Sequence, residues 1–341
     1  MRSLKGPAVV AMVAAVLTVA ACGGSAAGDD AAKPTLTLYN AQHEEMMKPV
    51  VAAFEAKTGV QVKMRSGDDS ELSNLLVQEG DASPADLFVT ENSPGMSLVA
   101  KAGLFADLPA KTLAQTPKQY ESTDKSWVGF AARSTVFAYN KKAMPASAAP
   151  ASLMDLADPK WKGRIGISPA GADFQAIVSA VVQLKGEKVA AHWLAGLKTN
   201  AKIYDGNATV MKAVNDGEID GGVIYHYYWY EDQAEGGANS ANVALNFFKN
   251  QDPGAFLSVS GAGVLKSSKH PKQAQQFVEF LTSAAGQQAI AKSKALEYTI
   301  ASGVPANPVL TPMTDLQPPT VDPTSLNGPH VIKLMQQAGL L

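Results

Sequence analysis

Four phenols and an imidazole fall within six residues, Tyr225-His226-Tyr227-Tyr228-Trp229-Tyr230. A free phenol loses its proton only near pH ~10, so adjacent tyrosines become useful anions only where a strong cation holds them. Hard, highly charged cations prefer oxygen donors, and a bound ion can strip the proton outright. A tyrosine pair is therefore a donor set that a ferric-ion site would use. The opposing reading is an aromatic cluster that packs or stacks a sugar, and composition alone does not separate the two. Geometry adds a condition. In a regular strand Tyr227 and Tyr228 point to opposite faces. They serve one ion only if the strand expected at Gly221 to Tyr225 breaks there into a loop or a helix start.

Two further groups with suitable chemistry follow expected strands. His43 stands in the polar run Gln42-His43-Glu44-Glu45, and Glu91 in Thr90-Glu91-Asn92. Glu91 has an alternative role as cap of a helix beginning near Ser93. Arg133 has no charge partner visible in sequence. Tyr39 alternates within a strand and reads as core, His226 is expected to point away from any ion, and Trp229 to pack behind the pair. His192, His270 and His330 read as solvated. Asp68-Asp69 and Glu44-Glu45 are ordinarily solvated pairs, although acids at a cleft mouth attract cations. The chain has no Gly-x-Ser-x-Gly, no P-loop and no Cys-x-x-Cys, and its five histidines are too scattered for a zinc-enzyme helix. No catalytic machinery is visible.

The elements that must carry these residues alternate. Leu36 to Tyr39, Val60 to Met64 and Asp86 to Thr90 read as strands. Met46-Met47-Val50-Val51-Phe54, Leu72-Leu75-Leu76 and Met96 to Leu104 show helical spacing. Such alternation means an α/β layer structure with a mostly parallel sheet, whose ligands bind beyond the strands' carboxyl ends. Val128 to Asn140 and Ala255 to Leu265 are long extended stretches, each able to run between two domains. Arg164 to Ile167 reads as another strand, and helices are expected at 174–184, 189–197, 273–281 and 286–294. The proline-rich stretch from Thr311 to Asn327 is expected to wrap the surface.

The N-terminus reads as an export signal. Arg2 and Lys5 precede an apolar run from Ala8 to Ala21, too short to span a bilayer comfortably. Val19-Ala20-Ala21-Cys22 is a lipoprotein processing pattern, and Cys22 is the chain's single cysteine. It has no partner for an internal disulfide, and a thioether lipid explains its position. Residues 1–21 are thus expected to be removed and 22–33 to form a lipid-anchored flexible tether. Residues 1–21 hold two basic residues and no acid, so 27 basic residues then face 31 acidic ones, for a net charge of −4. That balance argues against a nucleic-acid partner.

Several segments together resemble the ferric-ion substrate-binding proteins of ABC importers, in the type II periplasmic-binding-protein fold. They are Tyr39-Asn40-Ala41-Gln42-His43, Ser83-Pro84-Ala85-Asp86-Leu87-Phe88-Val89-Thr90-Glu91, Trp161-Lys162-Gly163-Arg164-Ile165-Gly166, Asn215-Asp216-Gly217-Glu218-Ile219-Asp220, Tyr227-Tyr228-Trp229, Asp252-Pro253-Gly254-Ala255 and Ser260-Gly261-Ala262-Gly263-Val264-Leu265-Lys266. The resemblance covers nearly all of the chain after residue 34. It implies two α/β lobes, 34–134 with 262–341 and 135–261, joined by two crossing hinge strands around a cleft. It implies Fe(III) held by Tyr227 and Tyr228, with His43 and Glu91 from the first lobe. Phosphate-using relatives have an Asn where this chain has Tyr225, and a serine that the run Pro169-Ala170-Gly171-Ala172-Asp173-Phe174 lacks. A phosphate co-ligand is therefore disfavoured, while Arg133 keeps a carbonate-like anion open. Tyr225, Gly171, Ala172 and Asn207 stand beside Arg133 as candidates for anion contact or support. The implied function is a lipid-anchored, extracytoplasmic, monomeric binding protein that passes ferric iron to an ABC permease and ATPase complex. The alternatives are a same-fold binder of a polyamine, thiamine, phosphonate or sugar, and, last, a lipid-anchored enzyme.

Overall fold

The structure, a computed structural model, describes residues 34–341, and these form one compact unit. The expected signal segment, Cys22 and the tether lie outside the described residues. The strands are β1 (Thr35–Ala41), β2 (Gln61–Ser66), β3 (Leu87–Thr90), β4 (Trp127–Asn140), β5 (Ile165–Ile167), β6 (Ala201–Ile203), β7 (Gly221–Tyr225), β8 (Val243–Phe247), β9 (Leu257–Val264) and β10 (Tyr298–Thr299). The α-helices are α1 (Glu44–Thr58), α2 (Asp69–Glu79), α3 (Ser93–Lys101), α4 (Ala110–Leu113), α5 (Ala172–Lys185), α6 (Glu187–Asn200), α7 (Asn207–Asp216), α8 (His226–Ala234), α9 (Pro271–Thr282), α10 (Ala284–Ala291) and α11 (Gly328–Gln337). None of the described helices is long and apolar enough to cross a membrane.

The expected parallel sheet is mixed. Its order is β2-β1-β3-β9-β4-β7-β5-β6, with β8 and β10 also paired to β4. The triplets β2-β1-β3 and β7-β5-β6 are parallel. The long stretches between them run antiparallel, β3 to β9, β9 to β4 and β4 to β7. Pairing direction depends on where the chain returns, which local pattern does not carry. The whole of β4 is buried. Its first part, Trp127 to Ser134, pairs with β9, and its second, from Thr135, pairs with β7 and β8. β4 thus joins the two halves, with its partner change at Ser134–Thr135, and the chain crosses again where Ala255 and Phe256, packed with Phe137, lead into β9.

Sequence explains the ends that matter. α1 starts directly after His43 with Glu44 and Glu45 in its first turn, where acids complement the helix dipole. It stops at Gly59, whose φ of 74° is the left-handed conformation that glycine adopts freely. Gly221 and Gly222 open β7, as expected. A Cβ on Gly221 would stand 2.2 Å from the Phe137 ring, and one on Gly222 2.3 Å from Val210. Glycine is needed there for close approach, and β7 then delivers Tyr225 to the mouth of α8.

Each half has its own apolar core. Leu36, Leu38, Met46, Val50, Phe54 and Phe277 belong to the first. Phe137, Trp161, Ile165, Phe174 and Trp193 belong to the second. The expected boundary assigns all of 262–341 to the first lobe. Leu326, Val331, Leu334 and Met335 instead pack in the second core, because the apolar stripe of α11 lies on α5 and α6. The proline-rich stretch before α11 does run over both halves. Ser97 donates to Pro323 O at 3.0 Å, Gln251 N donates to Gln317 O at 3.0 Å, and Asn327 N donates to Ser179 Oγ at 2.8 Å.

Candidate metal centre

Strand β7 ends at Tyr225 and α8 begins at His226. The strand-to-helix break that the tyrosine pair needs is therefore present. Tyr227 and Tyr228 lie on the first turn of α8 with their rings stacked, centroids 4.2 Å apart and planes 28° from parallel. Tyr227 is buried and Tyr228 half-buried. Both phenols are held well above their ordinary pKa, first by burial and then by the nearby charges of Asp173 and Glu91. Both are therefore neutral phenols near neutral pH.

The facing side is built from the strand ends of the first half. His43 occupies the loop between β1 and α1, and Glu91 the loop between β3 and α3. Glu91 does not cap α3: Asn92 is the N-cap residue, and the Glu91 carboxylate is turned inward. Its Oε1 lies 3.0 Å from Arg133 Nη1, accepts from Tyr227 Oη at 3.1 Å and lies 3.5 Å from His43 Nε2. The His43 and Tyr227 rings meet edge-on, 5.0 Å between centroids. Tyr227, His43 and Glu91 thus come together around one oxygen. Burial works to lower the His43 pKa, but Glu91 and Glu297 outweigh it and raise it.

Asp69 explains how Glu91 is held. Its carboxylate accepts the backbone N–H groups of Glu91 and Asn92 at 3.0 and 2.9 Å, and Asn92 Nδ2 at 3.1 Å. Of the pair Asp68-Asp69, Asp68 is exposed as expected, while Asp69 is buried and fixes the loop. Tyr39 is buried as expected, its hydroxyl shared between Glu79 and Arg65. His226 points away from the pair. Its Nδ1 accepts from Ser134 N at 3.1 Å, its ring stacks on Tyr298, and burial followed by the Arg133 charge pushes its pKa down to about 3.

Asp173, in the first turn of α5, was not picked out by sequence. It is buried between three side chains: Asn92 Nδ2 at 3.1 Å from Oδ1, and Asn207 Nδ2 at 2.7 Å and Tyr228 Oη at 3.4 Å from Oδ2. Burial, followed by the Glu91 charge, raises its pKa to about 7. An acid in a first helical turn reads in sequence as a dipole partner, which hid this role. The candidates for anion contact are largely taken by this carboxylate and its neighbours. Asn207 is spent on Asp173, and Tyr225 Oη donates to the Asp173 backbone oxygen at 3.3 Å. Arg133 is fully buried against Glu91 and Glu297, with Nη2 2.6 Å from Ser260 Oγ. Gly171 is the N-cap residue of α5 and Ala172 its first residue; both line the cavity beside Asp173.

Two cavities open on the pair. One, about 430 Å³, is lined by Gly171, Asp173, Asn207, Glu91 and Tyr228. The other, about 460 Å³, is lined by His43, Tyr227, Glu45, Glu231 and Glu235, an acidic approach. Glu231, one helical turn beyond the pair, has its pKa raised to about 8, mainly by burial. Among the described residues no three His, Cys, Asp or Glu side chains are grouped as a metal site. Two phenols, a carboxylate and an imidazole form the hard oxygen-and-nitrogen set that suits a highly charged ion.

Comparison with known proteins agrees with the fold. Residues 50–317 match the family described as bacterial extracellular solute-binding protein. The Fe(3+)-binding periplasmic protein of Serratia marcescens is 52% identical over 97% of each chain. The major ferric iron-binding protein of Neisseria meningitidis is 38% identical over 92% of this chain and 97% of that one. A solved structure of iron-bound HitA from Pseudomonas aeruginosa aligns with a TM-score of 0.85 at 45% identity, covering 90% of this chain and 100% of that one. The fold is accordingly that of the type II periplasmic binding proteins, and the chain belongs to the bacterial extracellular solute-binding family.

Proposed function

We propose that this protein captures ferric iron outside the cytoplasm and delivers it to an ABC permease and ATPase complex. Tyr227 and Tyr228 supply phenolates, His43 Nε2 and a Glu91 oxygen come from the opposite wall, and Asp173 supplies a further carboxylate beside Tyr228. The observation that carries this reading is the convergence of Tyr227, His43 and Glu91 within 3.5 Å contacts around one oxygen. Without iron, the Arg133 guanidinium and the Tyr227 proton occupy Glu91, and the Tyr228 proton occupies Asp173. With iron, the ion takes the place of those protons.

Two lobes close around the ion. Their boundary follows the partner change at Ser134–Thr135 of β4 and the neighbouring part of β9, and α11 counts with the second lobe. Hinge closure of this kind buries the cargo. Cys22 carries a lipid that tethers the monomer to the membrane, an assignment that detergent partitioning of Cys22→Ser tests directly. Because Asp173 is a carboxylate already in place, an external carbonate is dispensable. Ferric phenolates absorb visible light, so the test is a visible spectrum of the Fe(III)-loaded protein with and without carbonate. A charge-transfer band of equal intensity in both is expected. A colourless protein would overturn the ferric reading and favour an organic ligand.

A further inference from the structure

Glu297 lies just before β10, in the run Ala295-Leu296-Glu297-Tyr298, and nothing in that apolar setting marks it as functional. It is fully buried. Its Oε2 accepts from Arg133 Nη2 at 3.1 Å and from Gln42 Nε2 at 3.5 Å. Its Oε1 has no hydrogen-bond partner and stands 3.6 Å from His43 Nδ1. A buried carboxylate oxygen without a hydrogen bond is costly, and an N–H at this 3.6 Å ion-pair distance lowers that cost. On the other edge of the same ring, Nε2 faces Glu91 Oε1 at 3.5 Å, toward Tyr227. The imidazole is therefore held between a dry carboxylate behind it and the cargo side in front.

The backbone is pinned as well. His43 N donates to Gln42 Oε1 at 2.7 Å, and Gln42 Nε2 donates to Ser260 Oγ at 2.8 Å, the same hydroxyl that Arg133 holds. Rotation of the His43 loop would break this chain of contacts. A neutral histidine carries one N–H, and the partner of one nitrogen decides which nitrogen is left free to bind a metal. A carboxylate, acceptor-only when ionised, faces each nitrogen, but Glu91 Oε1 already accepts from Tyr227 and pairs with Arg133, whereas Glu297 Oε1 has no hydrogen-bond partner, so the ring form with hydrogen on Nδ1 is the one selected.

We infer that Glu297 is a positioning residue for His43: it holds the proton on Nδ1 and so presents the Nε2 lone pair to the ferric ion. This rests on the proposed role of His43 as a ligand. Glu297 touches no cargo and acts through the ring. The rival assignment is that Glu297 merely neutralises Arg133, in which case its effect would pass through Glu91 and not through His43.

Two measurements separate these. The first is ¹⁵N NMR of histidine-labelled, metal-free protein at a pH where the ring is neutral, with His43 assigned from His43→Ala. The wild type is expected to show the proton on Nδ1, and Glu297→Gln to shift the population toward Nε2. A wild-type ring protonated on Nε2 overturns the inference whether or not iron binds, and it needs no variant of Glu297 to fold. The second is Fe(III) affinity, by competition with citrate, for Glu297→Gln, His43→Ala and the double variant, with metal-free melting temperatures as the folding control. Supporting contacts behind a metal ligand are typically worth about 10–100-fold in affinity. Glu297→Gln is expected to lose about 10-fold in the wild-type background and to lose nothing further once His43 is alanine. Equal losses in both backgrounds overturn the inference in favour of the Arg133 route. If His43→Ala alone leaves affinity unchanged, the ligand role of His43 fails, while the NMR result stands on its own.

Discussion

On one wall of the site, His43 and Glu91 sit in a charged network with Arg133 and Glu297, already ion-paired without any cargo. On the other, Tyr227 and Tyr228 are neutral phenols beside Asp173, whose raised pKa leaves it part protonated near neutrality. The first wall pairs Arg133 with both Glu91 and Glu297, so it is held together before an ion arrives. The second has charge to give only when an ion displaces its protons. Under the proposed ferric-ion reading, the walls have different duties: geometry is preset by the paired wall, and the ion's charge is met by the proton-releasing wall.

The largest effect should come from the proton-releasing wall. Tyr227→Phe or Tyr228→Phe keeps the stacked ring and deletes one phenolate. Each should lose most of the visible band and weaken Fe(III) by more than about 100-fold, above the range seen for supporting contacts. Metal-free melting should hardly change. Iron titrations indistinguishable from wild type in both variants would remove the pair from the site.

Asp173→Asn sharpens the same wall. It keeps the shape and deletes the charge, so affinity should drop by about 10–100-fold, and carbonate should now restore part of the loss. An unchanged affinity, or a loss that carbonate cannot mend, would reduce Asp173 to a scaffold for Asn92 and Asn207.

The smallest effect concerns pH and the paired wall. The His43 pKa is raised, so in the metal-free protein the ring stays protonated up to a pH above about 6.5. Iron must displace that proton, and affinity falls as pH falls through this window. Below it, the slope of log Kd against pH should be smaller in magnitude by about one for His43→Ala than for wild type, because one fewer proton is released. Equal slopes would mean that His43 is not a ligand. The sign for the empty fold is opposite. A raised histidine pKa contributes stability that is present below about 6.5 and lost as pH rises through the shifted value.

The sequence disclosed this site unevenly, and the reason is local. His43, Glu91, Tyr227 and Tyr228 stand at strand ends, where periodicity stops and polar residues accumulate, and the structure brings them together. Asp173 and Glu297 sit in the first turn of a helix and in an apolar run, where an acid has an ordinary explanation or none. Only the folded chain supplies their partners, Asn207 and Tyr228 for one, Arg133 and His43 for the other. The same limit applies to the fold. The first β-α-β-α-β alternation was readable, but α7 and α11 were not. The antiparallel passage of β4 and β9 through the sheet centre was hidden too, because strand direction is a property of distant pairings.

The packing of α11 has a consequence for the order in which the molecule assembles. The second core opens with residues around Phe137 and is completed by Val331, Leu334 and Met335 from the last helix. Its apolar surface therefore cannot be fully covered until the end of the chain is available. The first core also waits, because Phe277 and Leu281 of α9, Ile290 of α10 and Ala295 beyond it complete that core. Contacts of such long sequence separation slow folding. Neither half is a unit that can finish early, and a chain cut before its last helix would leave the half bearing the tyrosine pair with an exposed apolar groove.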